Sequence, residues 1–126
     1  MPVLPVTSIT AAVSALMLVA LSAPITLRRV KVGTPSGLGS DEGLHRRIRA
    51  QGNFVEYAPL GLIVLGLAEA AGAAQAILIA TAASLLGGRA VHAAGMYAGS
   101  IPLRVVGMVA TYTALAVPAG LLLAKA

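Results

Sequence analysis

The sequence predicts an all-α integral membrane protein, a bundle of four transmembrane helices, and three observations lead to this fold class. The 126 residues are 58% hydrophobic and only 10% charged, whereas a typical soluble domain carries roughly 25% charged residues. The mean hydropathy is +0.91, which is too apolar for a surface that faces water. The chain also contains four apolar segments long enough to cross a bilayer, which takes about 20 residues each. A chain of this length forms one domain, residues 1–126.

The first helix is predicted over residues 7–27, which carry no charge. The residues before it contain no Lys or Arg and the apolar run is too long for a signal peptide, so this segment is predicted to be a retained helix. A basic cluster follows it, and residues 32–44 are rich in Gly, Ser and Pro. This composition predicts a loop at the water interface.

Three more helices are predicted over residues 45–71, 74–97 and 104–124, with a turn at 98–103. The second helix ends at the break around Gly72, and the link to the third is so short that the two must form an antiparallel hairpin. The third helix is rich in Gly and Ala, small residues that allow close helix approach in membranes.

The positive charges predict the orientation of the bundle. All but Lys125 of the nine Lys and Arg residues fall toward one side of the predicted membrane. By the positive-inside rule that side is cytoplasmic, so the segment 28–49 faces the cytoplasm and both termini lie outside the inner (cell) membrane. The net charge of +5 therefore reflects topology and not nucleic-acid binding, since 3% aromatic residues and no Trp provide no stacking platform for bases.

The second helix begins with an unusual set of polar residues. Arg49, Asn53 and Glu56 are spaced by four and three, so they share one helix face, and Tyr57 flanks Asn53. Within about 12 Å along the helix, this face presents a guanidinium, an amide, a carboxylate and a phenol. Such a set can hold a small zwitterionic ligand, with Arg on a carboxylate and Glu on an ammonium group. Ionisable groups at membrane depth usually face a bundle interior or a cavity, which favours this interpretation.

Simpler roles remain open for the same residues. Arg46 and Arg47 can mark the headgroup level of the membrane, and Arg49 and Glu56 can form an internal ion pair. On the third helix, Arg89 and His92 lie three apart on one face, and the histidine can simply be a satisfied interior residue.

The fourth helix opens with Arg104, which shares one side with Tyr112 and can also serve as an interfacial anchor. The chain has no cysteine, so any thiol chemistry requires a thiol that arrives with a ligand. Two widely spaced histidines do not predict a metal site.

The segment RIRAQGNFVEYAPLGL, residues 47–62, resembles the signature of the membrane-associated proteins in eicosanoid and glutathione metabolism, the MAPEG family. The resemblance extends to the Arg28–Arg29 pair, to the Arg89-x-x-His92 spacing and to Arg104, so it covers essentially the whole chain. It implies a homotrimer of four-helix subunits that binds glutathione as a co-substrate at the cytoplasmic side, between neighbouring subunits. The residues implied to bind glutathione are Arg49, Gln51, Asn53, Glu56 and Tyr57, joined by Arg28 or Arg29, Arg89, His92 and Tyr97 of the same or the adjacent chain.

The resemblance also implies a catalytic role for Arg104, near the glutathione thiol. A free thiol has a pKa of about 8.5, and a guanidinium stabilises the reactive thiolate without losing its own proton. The implied function is a membrane-embedded glutathione-dependent transferase or peroxidase, similar to generic bacterial-type microsomal glutathione transferases, that acts on small lipophilic electrophiles reached from the membrane lipids. The residues around Arg104, IPLRVVGM, lack the Ser or Tyr found beside the thiol in some eicosanoid-processing members.

Two other functions stay open from the sequence. A non-catalytic membrane binding or scaffold protein can keep the same fold, because no sequence feature proves turnover. A small multidrug-type transporter also has four helices, but proton-coupled export needs an acid at bilayer depth, usually in the first helix. The first helix here has none.

Overall fold

The computed structural model of the protein describes residues 3–126; Met1 and Pro2 of the predicted domain 1–126 lie outside the described residues. Every regular element within residues 3–126 is an α-helix, and all four helices are long and apolar enough to cross a membrane. This confirms the predicted all-α class with four candidate membrane spans. The helices are α1, Pro5–Val32; α2, Glu42–Ala70; α3, Gln75–Ala98; and α4, Ile101–Lys125.

The first two helices extend further toward their connecting loop than the predicted bounds 7–27 and 45–71. The first continues through the basic cluster and ends at Gly33, whose φ of +67° is a left-handed conformation that suits glycine. The second begins early because Asp41 is its N-cap and accepts a hydrogen bond of 2.7 Å from the Leu44 N–H. The predicted loop at 32–44 is confirmed over residues 33–41, and only its two ends are helical turns beyond the apolar segments.

The third helix is close to its predicted bounds, but the predicted turn at 98–103 is wrong in its second half, because α4 begins at Ile101 and not at residue 104. Ser100 is the N-cap and its hydroxyl accepts from the Leu103 N–H at 3.5 Å. Pro102 fits in the first helical turn, where its missing N–H has no intrahelical partner to lose. Proline was thus part of a helix start and not of a turn.

The surface and the interior of the bundle differ in polarity in the way a lipid environment requires. Large apolar side chains cover the outside; Leu16, Val30 and Leu123, for example, are 71%, 80% and 79% exposed. A water-soluble monomer rarely exposes so much contiguous apolar surface. Several polar side chains lie inside the bundle, and Arg89 and Thr111 are among the most deeply buried.

Helices α3 and α4 approach each other closely because glycines face each other across their contact. A Cβ atom added to Gly107 would lie 2.5 Å from the His92 backbone nitrogen and 2.6 Å from the Gly88 carbonyl oxygen. At Gly95 an added Cβ atom would lie 2.8 Å from the Arg104 backbone nitrogen. The prediction that small residues of the third helix allow close packing is confirmed, and this contact brings His92 and Arg104 to the same part of the bundle.

At the end of the bundle where α1 starts, a carboxylate from α2 accepts hydrogen bonds from the first turn of α1. Glu69, near the end of α2, accepts hydrogen bonds from the backbone N–H groups of Val6 at 2.9 Å and Thr7 at 2.8 Å. The Thr7 hydroxyl donates a third bond of 2.6 Å to the same carboxylate. A negative charge at a helix N-terminus stabilises the unpaired N–H groups and the helix dipole. Glu69 therefore caps the N-terminus of α1, and it lies at the opposite end of α2 from the predicted site.

The opposite end of the bundle, which we call the basic end, carries all of the nine Lys and Arg residues except Lys125 and the more deeply placed Arg89. Here α1 ends and α2 begins. Arg28 of α1 donates two hydrogen bonds, of 2.9 and 2.8 Å, to the Asp41 carboxylate. The bond from Arg28, helped by the Leu44 N–H, lowers the pKa of Asp41 to about 2. The ion pair and the cap together fix the loop that joins α1 to α2.

Candidate functional site

A buried arginine occupies the interior of the bundle toward its basic end. The Arg89 side chain is 2% exposed, and its Nε donates to the Thr111 hydroxyl at 2.8 Å. Nη1 donates to the Asn53 backbone carbonyl at 3.3 Å and also to the Asn53 side-chain oxygen, and Nη2 donates to the Met108 sulfur at 3.2 Å. One guanidinium on α3 thus joins α2 to α4. We call Asn53, Tyr57, Arg89, Met108 and Thr111 the arginine cluster.

Aromatic rings and helix geometry complete the arginine cluster. The Arg89 guanidinium lies over the Tyr57 ring, 5.3 Å from its centroid, in a cation–π contact. Asn53 and Tyr57 are one turn apart on α2, so both reach the same guanidinium. On α4 the Thr111 hydroxyl donates to the Gly107 carbonyl at 2.8 Å, which leaves its oxygen lone pairs directed at Arg89.

Arg89 has no carboxylate partner, although it is buried. Within residues 3–126 the ion pairs are Arg28–Asp41 and Arg46–Glu42, and neither involves Arg89. Neutral oxygens and a sulfur satisfy its N–H groups but do not cancel its charge. Glu56 acts on this charge from a distance, but it is exposed and forms no ion pair with Arg89. Because burial of a charge without a paired counter-ion costs several kcal/mol, the cluster has the electrostatics of a site that receives an anion.

An open cleft of about 410 Å³ lies next to the arginine cluster and shares Met108 with it. Its polar groups are the buried His92 imidazole, the exposed Arg104 guanidinium and the Tyr112 phenol. The Tyr112 ring also packs 5.9 Å from the Tyr57 ring, which connects the cleft to the cluster. The rest of the wall is apolar and includes Val105 and Val109, which are exposed on the outside of the bundle. An apolar molecule dissolved in the bilayer can therefore reach this cleft.

Arg104 differs from Arg89 in that its guanidinium is free. No hydrogen bond or ion pair within residues 3–126 involves its side chain, and the residue is exposed. A cation that is not engaged by the protein is available to a ligand. The cleft therefore combines one unengaged guanidinium with an apolar wall.

The polar helix face predicted on α2 is divided between the interior and the surface. Asn53 and Tyr57 belong to the arginine cluster, while Arg49 and Glu56 are exposed on the surface of the single chain. The alternative of an internal Arg49–Glu56 ion pair is wrong, because neither residue is ion-paired among the described residues. Gln51 is half-buried and precedes Asn53 by two residues, a spacing that does not put the two side chains on one helix face.

The remaining predicted residues lie at the basic end, where they bond to other partners. Arg28 holds Asp41, and Arg29 donates to the carbonyls of Thr34 and Gly37 at 3.2 and 2.8 Å. Tyr97 is exposed, and the Arg47 guanidinium lies 5.5 Å from its ring centroid. No hydrogen bond within residues 3–126 connects these residues to Arg89.

Sequence reasoning left three residues of α4 out of the site. Met108 and Thr111 bond to Arg89 and Tyr112 lines the cleft. A signal was present, because residues 104, 108, 111 and 112 follow the spacing of one helix face. A methionine and a threonine in an apolar helix nevertheless look like ordinary packing residues until a buried partner is known.

These features define a class of protein: a multi-pass membrane protein with an uncompensated buried arginine and an adjoining cleft at its basic end. The chain matches the MAPEG family over residues 6–124 and belongs to that family. It is also similar to the inner membrane protein YecN of Escherichia coli K12 and of Escherichia coli O6:H1, strain CFT073. Each relative is 32% identical over 110 residues, which cover 87% of this chain and 84% of the relative. No solved structure matches the chain. The four spans and these relatives support a multi-pass protein of the inner membrane.

Proposed function

We propose that this protein is a membrane-embedded glutathione-dependent transferase or peroxidase that acts on small lipophilic electrophiles. The observation that carries the proposal is the buried Arg89, which lacks a counter-ion and lies beside a cleft that contains the unengaged Arg104. Glutathione carries two carboxylates, one ammonium group and a thiol, so it can supply the missing negative charge. Membership of the MAPEG family supports the same ligand.

The arginine cluster orients the groups that would hold the peptide part of glutathione. Because the Asn53 side-chain oxygen accepts from Arg89, the two N–H donors of its amide remain for a ligand carboxylate. Arg49 would bind a carboxylate and Glu56 the ammonium group, with Gln51 assisting. In this arrangement Arg89 acts on the ligand through its charge and by holding Asn53 and Tyr57 in place.

Arg104 would stabilise the thiolate. When glutathione loses its thiol proton to the solvent, the guanidinium pairs with the sulfur anion in a wall of low polarity. In the transferase reaction the sulfur then forms a bond to an electrophilic carbon, and the leaving group departs with the electrons of its former bond. The electrophile reaches the sulfur from the bilayer along the apolar side of the cleft, past Val105 and Val109.

We extend the proposal to the assembly. Glu56 is exposed on a membrane-spanning helix about two turns deeper than Arg49, which is exposed at the basic end, and a charged side chain that faces lipid at bilayer depth costs about 3 kcal/mol or more. A homotrimer with the site between subunits would cover both residues and would allow Arg28 or Arg29 to reach a neighbour's ligand. The basic end would face the cytoplasm and both termini the outside. A detergent-corrected mass of one chain, measured by light scattering, would contradict this assembly.

The Arg104→Gln variant tests the chemistry. A charge-assisted hydrogen bond contributes about 1.5–3 kcal/mol, so its loss is expected to raise the pKa of the bound thiol by about one to two units. The ultraviolet absorbance of the thiolate, titrated with pH, measures this pKa. Conjugation of chlorodinitrobenzene at neutral pH is expected to fall about tenfold to a hundredfold, while the dissociation constant of glutathione changes only a few-fold.

The matched control is Lys125→Gln, which removes one positive charge at the other end of the bundle. It is expected to leave the thiol pKa and the conjugation rate unchanged. An unaltered thiol pKa in Arg104→Gln would remove Arg104 from the chemistry. Glutathione binding without thiolate formation in the wild type would instead favour the non-catalytic binding protein.

A further inference from the structure

A second cleft lies at the basic end, on the seam between α1 and α2, away from the arginine cluster. Its volume is about 240 Å³, and its lining divides into a cationic rim and an apolar floor. The rim consists of Arg28, Lys31 and Arg47, and the floor of Pro24 and Leu27. The floor residues precede the rim residues on α1, so they lie deeper in the membrane.

The absence of a side chain at Gly43 lets the two arginines of the rim converge. A Cβ atom added there would lie 3.2 Å from Nη1 of Arg47 and 3.4 Å from Nη2 of Arg28. The Asp41 carboxylate holds Arg28, while Arg47 is fixed by a 2.8 Å bond to the Gly43 carbonyl. The two guanidinium groups are thus built into neighbouring positions by contacts within the chain.

The charges of the rim are not balanced. Three cationic side chains meet one carboxylate, that of Asp41, which leaves an excess of two positive charges. Both Asp41 oxygens already accept from Arg28, and one of them also accepts from the Leu44 N–H. Lys31 is exposed and makes no hydrogen bond within residues 3–126. Since like charges held together repel, the rim is suited to an additional anion.

We propose that this cleft binds the headgroup of an anionic phospholipid. The phosphate would sit among Lys31, Arg47 and Arg28, and an acyl chain would run down the floor past Leu27, which is 71% exposed. A soluble phosphate would satisfy the rim equally well but would leave the apolar floor unused. Basic pockets between membrane helices at the headgroup level are a known way to recognise anionic lipids. The inference does not rest on the proposed function: Arg28 enters both proposals, but the variants that test this one change Lys31 and Arg47, which the glutathione proposal does not use.

Native mass spectrometry of the detergent-solubilised protein tests the proposal, with phosphatidylglycerol and phosphatidylcholine as the added lipids. The wild type is expected to retain phosphatidylglycerol in preference to phosphatidylcholine. Each lost positive charge is expected to weaken that retention about fivefold, in Lys31→Gln and again in the double variant with Arg47→Gln. Lys125→Gln, at the other end of the bundle, is expected to behave as the wild type does.

Three results would overturn the proposal. The first is equal retention of phosphatidylglycerol by the wild type and Lys31→Gln, a variant of an exposed residue that does not endanger folding. The second is the same loss in Lys125→Gln, which would show a general effect of charge. The third is displacement of the lipid by millimolar glycerol phosphate, which would identify a soluble anion as the occupant.

Discussion

Replacement of Arg89 by methionine is expected to weaken glutathione binding about tenfold or more while leaving the free energy of unfolding within about 1 kcal/mol of the wild-type value. The two halves of this result have opposite causes. The charge of Arg89 attracts an anionic ligand, so its loss lowers affinity. The same charge destabilises the ligand-free protein, because it is buried without an ion-pair partner.

The small expected change in the free energy of unfolding follows from what happens to the hydrogen-bond partners of Arg89 in the variant. Thr111 keeps its hydrogen bond to the Gly107 carbonyl, and Asn53 is only half-buried, so its side-chain oxygen can reach water. Methionine has a similar length and fills the same apolar surroundings. Replacing buried charges by apolar residues of similar volume is often neutral or stabilising.

Thermal unfolding in detergent and calorimetric titration with glutathione measure the two quantities for Arg89→Met. Arg89→Lys is the informative comparison, because it keeps the charge but loses the planar fork that bonds Asn53 and Thr111. Its affinity is expected to lie between those of the wild type and Arg89→Met. A large loss of stability in Arg89→Met with unchanged affinity would show that Arg89 is structural and not part of a ligand site.

The second large effect is expected at the contact between α3 and α4. Gly107→Ala places a methyl group 2.5 Å from the His92 backbone nitrogen and 2.6 Å from the Gly88 carbonyl oxygen. Backbone atoms of two packed helices cannot yield as a side-chain tip can, so the helices must separate. Overpacking typically costs about 1–3 kcal/mol and occasionally more, and a clash between backbones belongs to the costly end of that range. Because His92 of α3 and Arg104 of α4 line the same cleft beside this contact, activity is expected to fall with stability.

Gly120→Ala is the matched control on the same helix, since a Cβ atom there meets nothing within 4 Å. Alanine favours helix over glycine by about 1 kcal/mol, so this variant is expected to be as stable as the wild type or slightly more stable. The midpoint of thermal unfolding compares the two variants. Equal midpoints for Gly107→Ala and Gly120→Ala would contradict the close helix contact.

Much of the fold could be predicted because hydropathy alone determines which segments enter a membrane. The ends of the helices could not, since caps such as Asp41 and Ser100 lie in polar stretches that also suit a loop. Glu69 shows the same limit. Its position near the C-terminal end of the second helix was visible, but its hydrogen bonds to Val6 and Thr7 depend on a contact between distant parts of the chain.

Helix periodicity predicted which residues of the site share a face of one helix, but nothing beyond that. Spacing placed Asn53 and Tyr57 near each other, and the structure brings both to Arg89. Spacing on one helix cannot show which neighbouring helix faces it, so the roles of Met108 and Thr111 were out of reach. The exposure of Arg49 and Glu56 could not be foreseen either, because helix spacing does not say which face is buried within one subunit.

The central claim is that the polar face of α2 binds glutathione, and calorimetric titration of the detergent-solubilised protein tests it most directly. The wild type is expected to bind glutathione, and Arg49→Ala and Glu56→Ala are each expected to bind about tenfold more weakly, since each loses a charge-assisted contact. Lys125→Ala, at the far end of the bundle, is expected to match the wild type. Absence of binding by the wild type would contradict the glutathione proposal, and unchanged binding in both α2 variants would contradict this location of the site.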